Sequence, residues 1–193
     1  MLSMAYFYPL LSGKVIVQSD IQQFQGMQRQ VVEHRADYDE EPYWADNAFG
    51  GMPTYQITST YPSDFIGKVD KLIRFLPRPA DYLFVYLLNF YLLMLFFTPK
   101  VEIAITGAIA FGFSTYLIII LGVGHNTKAL AIGYMPLLVL GVIQLFSEKR
   151  KLGFGLLTLS MALQLHANHY QMTYYALILV GLISIGFIVD LVR

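Results

Sequence analysis

The sequence predicts an all-α, polytopic integral membrane protein with one long polar loop outside the membrane. Of the 193 residues, 56% are apolar and only 13% are charged, whereas a soluble domain usually carries about 25% charged residues. The charge is also unevenly distributed, since residues 12–81 hold seven of the thirteen cations and ten of the thirteen anions. These observations predict a polar loop beside a bundle of apolar helices.

Composition also excludes several classes of function. Thirteen basic and thirteen acidic residues give a formal net charge of zero, which disfavours a nucleic-acid-binding protein because such proteins present a basic surface. We therefore expect membrane lipid, and no nucleic acid, among the partners. The chain has no cysteine, which excludes disulfides, thiolate metal sites and a cysteine nucleophile.

Residues 1–11 are apolar and lack the basic start of a signal peptide. At about 1.5 Å per helical residue, they would cross roughly half of a bilayer. We expect this segment to be the outer end of a first transmembrane helix whose beginning is not in the chain.

Residues 12–81 form the predicted external loop, which begins with an amphipathic helix near residues 20–35. Two capping boxes fit its start, Ser19 with Gln22 and Asp20 with Gln23. By position alone, the Asp20 carboxylate is expected to cap the helix, where it would accept hydrogen bonds from backbone N–H groups of the first turn. The apolar residues at helical spacing are Ile21, Phe24, Met27, Val31 and Val32.

A second amphipathic helix is predicted near residues 64–76, before Pro77. Its apolar residues share one face, and Lys68, Lys71 and Arg74 lie on the other. A basic amphipathic helix beside a membrane helix usually lies among the lipid headgroups, where its cations meet phosphates. We expect this helix to lie along the outer membrane surface.

The segment between these helices combines paired glycines with aromatic residues. Gly50 and Gly51 permit positive φ angles and close backbone approach, as in a tight turn or a loop that contacts a ligand. Nearby rings would anchor the loop at the membrane interface or stack on a sugar. These rings belong to Tyr43, Trp44, Tyr55 and Tyr61.

Residues 82–193 are predicted to form a transmembrane bundle of about five spans, because a bilayer core needs about 20 mainly apolar helical residues. Five buried helices of a soluble protein would leave too little polar surface to cover them. The predicted spans are 82–97, 103–123, 129–146, 152–168 and 172–192.

The charges of the short connections predict the orientation. Lys100, residues 149–151 and Arg193 fall on one side of the bundle, and Lys128 alone falls on the other. Cationic connections tend to remain in the cytoplasm, so the first side is predicted to be cytoplasmic. All four histidines then lie outside together with the long loop.

Two external connections carry candidate binding residues. Asn126 or Thr127 would cap the helix that begins near Lys128, and a helix N-terminus with a nearby lysine is a good anion site. A phosphate is a reasonable ligand, and an ordinary cap beside a lysine that reaches the interface is the alternative.

His166 and His169 are three apart and would share a helix face. This spacing suits a metal, but no obvious third ligand and no HExxH pattern lie nearby, so hydrogen bonds at the membrane boundary are the favoured interpretation.

Several motifs resemble the YfhO-like family of bacterial membrane proteins. The most specific is Phe-Gly-Gly-Met-Pro-Thr-Tyr-Gln at 49–56, after Pro-Tyr-Trp at 42–44. Gln-Ser-Asp-Ile-Gln-Gln at 18–23 and His-Ala-Asn-His-Tyr-Gln at 166–171 extend the resemblance over nearly the whole chain. Family members are longer, so the resemblance covers only their N-terminal part.

The resemblance implies a glycosyltransferase of the GT-C type, with a helical bundle in the bacterial inner (cytoplasmic) membrane and its long loop on the outer, periplasmic side. Such an enzyme takes a sugar from a polyprenyl-phosphate-linked donor and transfers it to a glycan or glycopolymer acceptor. The resemblance implies that Asp20 is the catalytic residue, either as general base or by positioning the acceptor through a divalent metal. The resemblance does not decide which cofactor the enzyme uses, and a divalent metal is the one candidate.

Other residues would bind the donor or the acceptor. Charge on the departing phosphate would be stabilised by groups at the start of one helix, and the remaining candidates would contact either substrate. The substrate-binding candidates are His125, Asn126, Thr127, Lys128, His166, His169, Gly50 and Gly51.

Two other functions fit a protein of this class. A transporter or flippase of lipid-linked sugars would need polar residues along a path through the membrane, and Asn89 and Thr115 are the main candidates within the spans. A non-catalytic membrane assembly protein would use the external loop as a docking surface.

Overall fold

The computed structural model describes residues 2–58 and 63–193, so Tyr61 lies outside the described residues. The protein is mostly helical, with 75% helix and 2% strand. It divides into two compact units, one formed by residues 1–15 with 65–193 and the other by Ile16–Asp64. The helices are α1 (Leu2–Tyr6), α2 (Ser19–Tyr38), α3 (Phe65–Ile73), α4 (Ala80–Phe97), α5 (Val101–Gly112), α6 (Thr115–Val123), α7 (Asn126–Leu145), α8 (Arg150–His166) and α9 (Tyr170–Val192). The strands are β1 (Trp44–Ala45) and β2 (Met52–Pro53).

Within the described residues, three helices are long and apolar enough to cross a membrane, namely α4, α7 and α9. Helices α5 and α6 supply a fourth span if they cross as one, although they are bent by 49°. The predicted span at 103–123 therefore corresponds to two helices, because the chain breaks between Gly112 and Thr115, and its crossing as one span stays a prediction. The five-span topology and its orientation stay predictions.

Helix α8 covers most of the predicted span at 152–168. It has 17 residues, which correspond to a length of about 25 Å at 1.5 Å per residue. That is shorter than the roughly 30 Å hydrocarbon core of a bilayer.

Helix α7 is the centre of the helical unit, where it packs against α4, α8 and α9. Glycines allow α7 and α8 to approach closely, because a Cβ atom on Gly141 would lie only 2.6 Å from the backbone nitrogen of Leu157. Small residues have this role in membrane helix pairs, where apolar side chains gain little by leaving lipid. The largest wholly buried side chains of this unit include Tyr86 and Tyr134.

A polar contact joins α4 to α7 at a proline. Pro136 lies inside α7, and a proline removes one backbone donor from a helix. The buried Asn89 side chain donates from Nδ2 to the carbonyl of Gly133 at 2.8 Å. Asn89 thereby supplies a hydrogen-bond donor to a backbone carbonyl in the turn of α7 that precedes Pro136.

The first residues of the chain pack on the helical unit. Helix α1 contacts α4, and the buried Phe7 belongs to the hydrophobic core. A 3₁₀ helix follows over Tyr8–Ser12. The assignment of residues 1–11 to the end of a transmembrane helix stays a prediction.

The smaller unit combines α2 with a short antiparallel hairpin, in which Trp44 pairs with Pro53 and Ala45 with Met52. The hairpin loop is fixed to α2 because Gln30 Oε1 accepts hydrogen bonds from the backbone nitrogens of residues 46 and 47, at 2.9 and 3.1 Å. Helices α2 and α3 lie where the sequence places its two amphipathic helices.

The predicted capping of α2 is wrong by one or two residues. The extended Gln18 is the N-cap and forms no side-chain cap hydrogen bond. Its carbonyl instead accepts the first helical bond, from the backbone nitrogen of Gln22 at 3.2 Å. Ser19 and Asp20 consequently lie inside the first turn.

Candidate functional site

The candidate residues of the helical unit lie at the N-terminal ends of α7 and α9. These two helices pack against each other, and α8 connects them through short turns. Because consecutive helices joined by short turns reverse direction, the starts of α7 and α9 and the end of α8 lie at the same end of the unit. We call this group of His125, Lys128 and His169 the anion cluster.

The start of α7 differs from the prediction. Gly124 ends α6 with a φ angle of 97°, and the chain reverses so sharply that His125 is already the N-cap. Asn126 and Thr127 therefore lie in the first turn, and neither is the N-cap. The His125 carbonyl accepts a hydrogen bond from the backbone nitrogen of Ala129 at 2.8 Å.

The two histidines of the next connection do not share a helix face. His166 is the last residue of α8, and His169 is the N-cap of α9. Asn168 lies between them with a φ angle of 54°, which interrupts the helix and makes that prediction wrong. His169 caps α9, because its Nδ1 accepts a hydrogen bond from the backbone nitrogen of Met172 at 3.3 Å.

The environment of His169 favours its neutral form. Partial burial lowers the pKa of His169 below its ordinary value, and the nearby charges of Lys128 and His125 lower it further. Since Nδ1 accepts the bond from Met172, the neutral ring carries its proton on Nε2. His169 therefore presents an N–H donor without adding a positive charge of its own.

The position of Lys128 is fixed by an aromatic ring. Its Nζ lies 5.1 Å from the centre of the Tyr116 ring, a distance typical of a cation–π contact. The first turn of α7 adds backbone N–H groups that have no acceptor within the helix. An ammonium group, a helix N-terminus and an imidazole donor together suit a phosphate or another oxyanion.

The other candidate residues belong to the smaller unit. Asp20 is half-buried in the first turn of α2, where a carboxylate interacts favourably with the positive end of the helix dipole. Its assignment as the catalytic residue stays a prediction.

Gly50 and Gly51 end the hairpin loop directly before β2, with φ angles of 78° and 113°. A Cβ atom on Gly51 would lie 2.7 Å from Trp44 Nε1, so the indole lies directly against the backbone. Phe49 and Tyr43 are almost wholly exposed beside it. The paired glycines therefore permit both a left-handed turn and a close ring contact.

A buried charge cluster at the start of α4 was not predicted. Arg74 pairs with Asp70 of α3, and its Nη1 lies 2.6 Å from Asp81 Oδ2 of α4. Tyr134 of α7 donates its hydroxyl to Asp70 Oδ1 at 2.6 Å. The side chains of Arg74, Asp70 and Asp81 are only 8%, 1% and 2% exposed.

The prediction that Arg74 faces the lipid headgroups is therefore wrong. Burial lowers the pKa of Arg74, but the hydrogen bonds to Asp70 and Asp81 and the charge of Asp70 outweigh it and raise the pKa above its usual value. The guanidinium stays charged and fastens α3 to α4 and α7. The spacing of Asp70 and Arg74, four apart on one helix, was the available signal.

Within the described ranges, no group of three histidine or acidic residues is placed to hold a metal ion. No family model, curated protein or solved structure matches the chain.

Proposed function

We propose that this protein is a membrane glycosyltransferase that takes a sugar from a polyprenyl-phosphate-linked donor and transfers it to an acceptor outside the cytoplasm, in the modification of a cell-envelope glycan or glycopolymer. The observation that supports this proposal is the anion cluster. Lys128, the start of α7 and the Nε2–H of His169 offer donors of the kind that a phosphate leaving group needs.

In the proposed reaction, an acceptor hydroxyl oxygen attacks the anomeric carbon as the bond from that carbon to the phosphate oxygen breaks. The electron pair of that bond leaves with the phosphate, and the hydroxyl proton passes to the Asp20 carboxylate. A single displacement inverts the anomeric carbon. Lys128 and the N-terminus of α7 stabilise the charge that develops on the phosphate.

A transporter is less well supported. Of the two polar residues considered for a path through the spans, Asn89 already donates to the Gly133 carbonyl in the contact between α4 and α7. Thr115 is the first residue of α6, at the break between α5 and α6. Asn89 is thus not left to line a path, and Thr115 alone does not make a continuous one.

Sugar transfer by membranes that contain the protein tests the role of Asp20. We expect Asp20→Asn to lower the transfer rate by roughly 100-fold or more, because general base catalysis typically contributes that much. Asp37→Asn is the matched control, since Asp37 lies exposed at the far end of the same helix. Transfer by Asp20→Asn at the wild-type rate would overturn the assignment.

Donor binding to the anion cluster has a separate readout in the NMR titration of His169. A bound phosphate adds negative charge beside the ring, so we expect a polyprenyl-phosphate sugar to raise the pKa of His169 from its lowered value. By linkage, donor affinity then increases as the pH falls through that range. Lys128→Gln should weaken donor binding, whereas Lys14→Gln should not. A donor that binds without moving the His169 titration does not occupy this cluster.

A further inference from the structure

A groove between α4, α7 and α8 opens at the turn that joins α7 to α8. Its volume is about 610 Å³, within the range of roughly 300–1,000 Å³ that is usual for small-molecule sites. Its walls are apolar along all three helices. They include Leu92, Leu95, Leu137, Leu140, Leu152 and Leu156.

The groove ends in polar residues at the turn. Two of these residues are hydrogen-bonded to each other, and the others are charged. The Ser147 hydroxyl donates to oxygens of Gln144, with the backbone carbonyl at 2.8 Å and the side-chain oxygen at 3.0 Å. Glu148 and Lys149 complete the lining, and Arg150 and Lys151 follow. The sequence from 148 to 151 therefore carries one negative and three positive charges.

Among residues 2–58 and 63–193, no acidic side chain forms an ion pair with these cations. Lys149 is the N-cap of α8, and the first turn of that helix contains no acidic residue. Cations at a helix N-terminus face the positive end of the helix dipole, so an anion bound at this turn would relieve the repulsion.

We propose that this groove binds an anionic phospholipid, with an acyl chain along the leucines and the phosphate beside Lys149. The walls lie on apolar helices and are partly exposed, with Leu92 at 37% and Leu152 at 50%, so the occupant enters from the bilayer. A free phosphate would leave those walls uncovered, and a zwitterionic lipid brings no net negative charge. The groove is at the opposite end of α7 from the anion cluster and does not depend on the proposed function.

Lipid binding to the purified protein in detergent, followed by native mass spectrometry, tests the headgroup. We expect phosphatidylglycerol to bind more tightly than phosphatidylcholine with the same acyl chains. Lys149→Gln should weaken phosphatidylglycerol binding by roughly fivefold, because a basic residue near an anionic headgroup contributes about that factor. Lys100→Gln is the control, since it removes a cation outside the groove lining.

The acyl chain is tested by filling the groove. Leu152→Trp replaces a leucine side chain in the groove by a larger indole ring and should weaken phosphatidylglycerol binding at least tenfold. Phe154→Trp is the matched control, because Phe154 is 65% exposed on the same helix and lies outside the lining. Circular dichroism verifies that each variant is folded.

Three outcomes would overturn the proposal. Equal affinity for the two phospholipids would exclude anion selectivity. An effect of Lys149→Gln without an effect of Leu152→Trp would show a surface attraction and no groove site. Displacement of the bound lipid by millimolar inorganic phosphate would show that the turn binds phosphate alone.

Discussion

At the scale of single residues, Arg74 depends on two carboxylates, Asp70 of its own helix and Asp81 of α4. Asp70 and Asp81 are buried with it, and Tyr134 adds a hydrogen bond to Asp70. A buried ion pair contributes little net stability by itself, but removal of one member leaves an uncompensated buried charge. The cluster therefore makes the contact of α3 with the helical bundle sensitive to any one substitution.

Arg74→Met should lower the free energy of unfolding by roughly 3–5 kcal/mol, because two buried carboxylates lose their cation. Tyr134→Phe should have a smaller effect, about 1.5–3 kcal/mol, since it removes one hydrogen bond to a charged group. Unfolding of the protein in mixed micelles, monitored by circular dichroism, measures both.

Arg29→Met supplies the control for this series. Arg29 pairs with Glu33 on the surface of α2, where both side chains are largely exposed. Its removal should leave the unfolding transition unchanged, because solvent screens such pairs. A wild-type transition for Arg74→Met would show that the buried cluster does not hold α3.

Residue-level predictions fail here for two reasons, a local break in a helix and contacts between residues that are far apart in sequence. Spacing suggested one helix face for His166 and His169, but a left-handed Asn168 between them breaks the helix. The bond from Tyr134 to Asp70 joins residues 64 apart in sequence, and no local pattern indicates it. The anion site near Lys128 stays a prediction, and the N-cap of its helix is His125 in place of Asn126 or Thr127.

At the scale of elements, apolar length predicted most helices of the bundle. Helices α4, α7 and α9 each coincide with a predicted span, because a long apolar run has few other stable structures in lipid. The bend between α5 and α6 did not follow from hydropathy. Hydropathy averages over a window and is insensitive to a break of two residues such as Phe113 and Ser114.

The pairing of α7 with α8 gives a prediction at this scale. A Cβ atom on Gly153 would overlap the backbone of Gln144 and Leu145. Gly153→Ala should therefore force the helices apart and destabilise the protein by about 1–3 kcal/mol, the usual effect of overpacking. Thermal unfolding in detergent measures this change.

Gly155→Ala is the matched variant on the same helix. Nothing lies within 4 Å of the position where its Cβ would be. Alanine also favours a helix over glycine by up to about 1 kcal/mol, so this variant should be as stable as the wild type or slightly more stable. Equal losses for the two variants would contradict close packing at Gly153.

At the scale of the whole molecule, the distribution of charge predicts which connections lie on each side of the membrane. The turn at residues 149–151 is basic, and the connection at 166–171 is neutral apart from its histidines. Helix α8 joins these two segments. If α8 crosses the bilayer, they lie on opposite sides, with the basic turn in the cytoplasm.

Because the chain has no cysteine, single cysteines can report this arrangement directly. Gln171→Cys and Glu40→Cys, both at exposed positions, should react with a membrane-impermeant maleimide in intact cells. Lys151→Cys, also exposed, should react only after permeabilisation. Labelling of positions 171 and 151 from the same side would mean that α8 does not cross. The reverse pattern would place the anion cluster in the cytoplasm, where it could not serve a transfer reaction outside it.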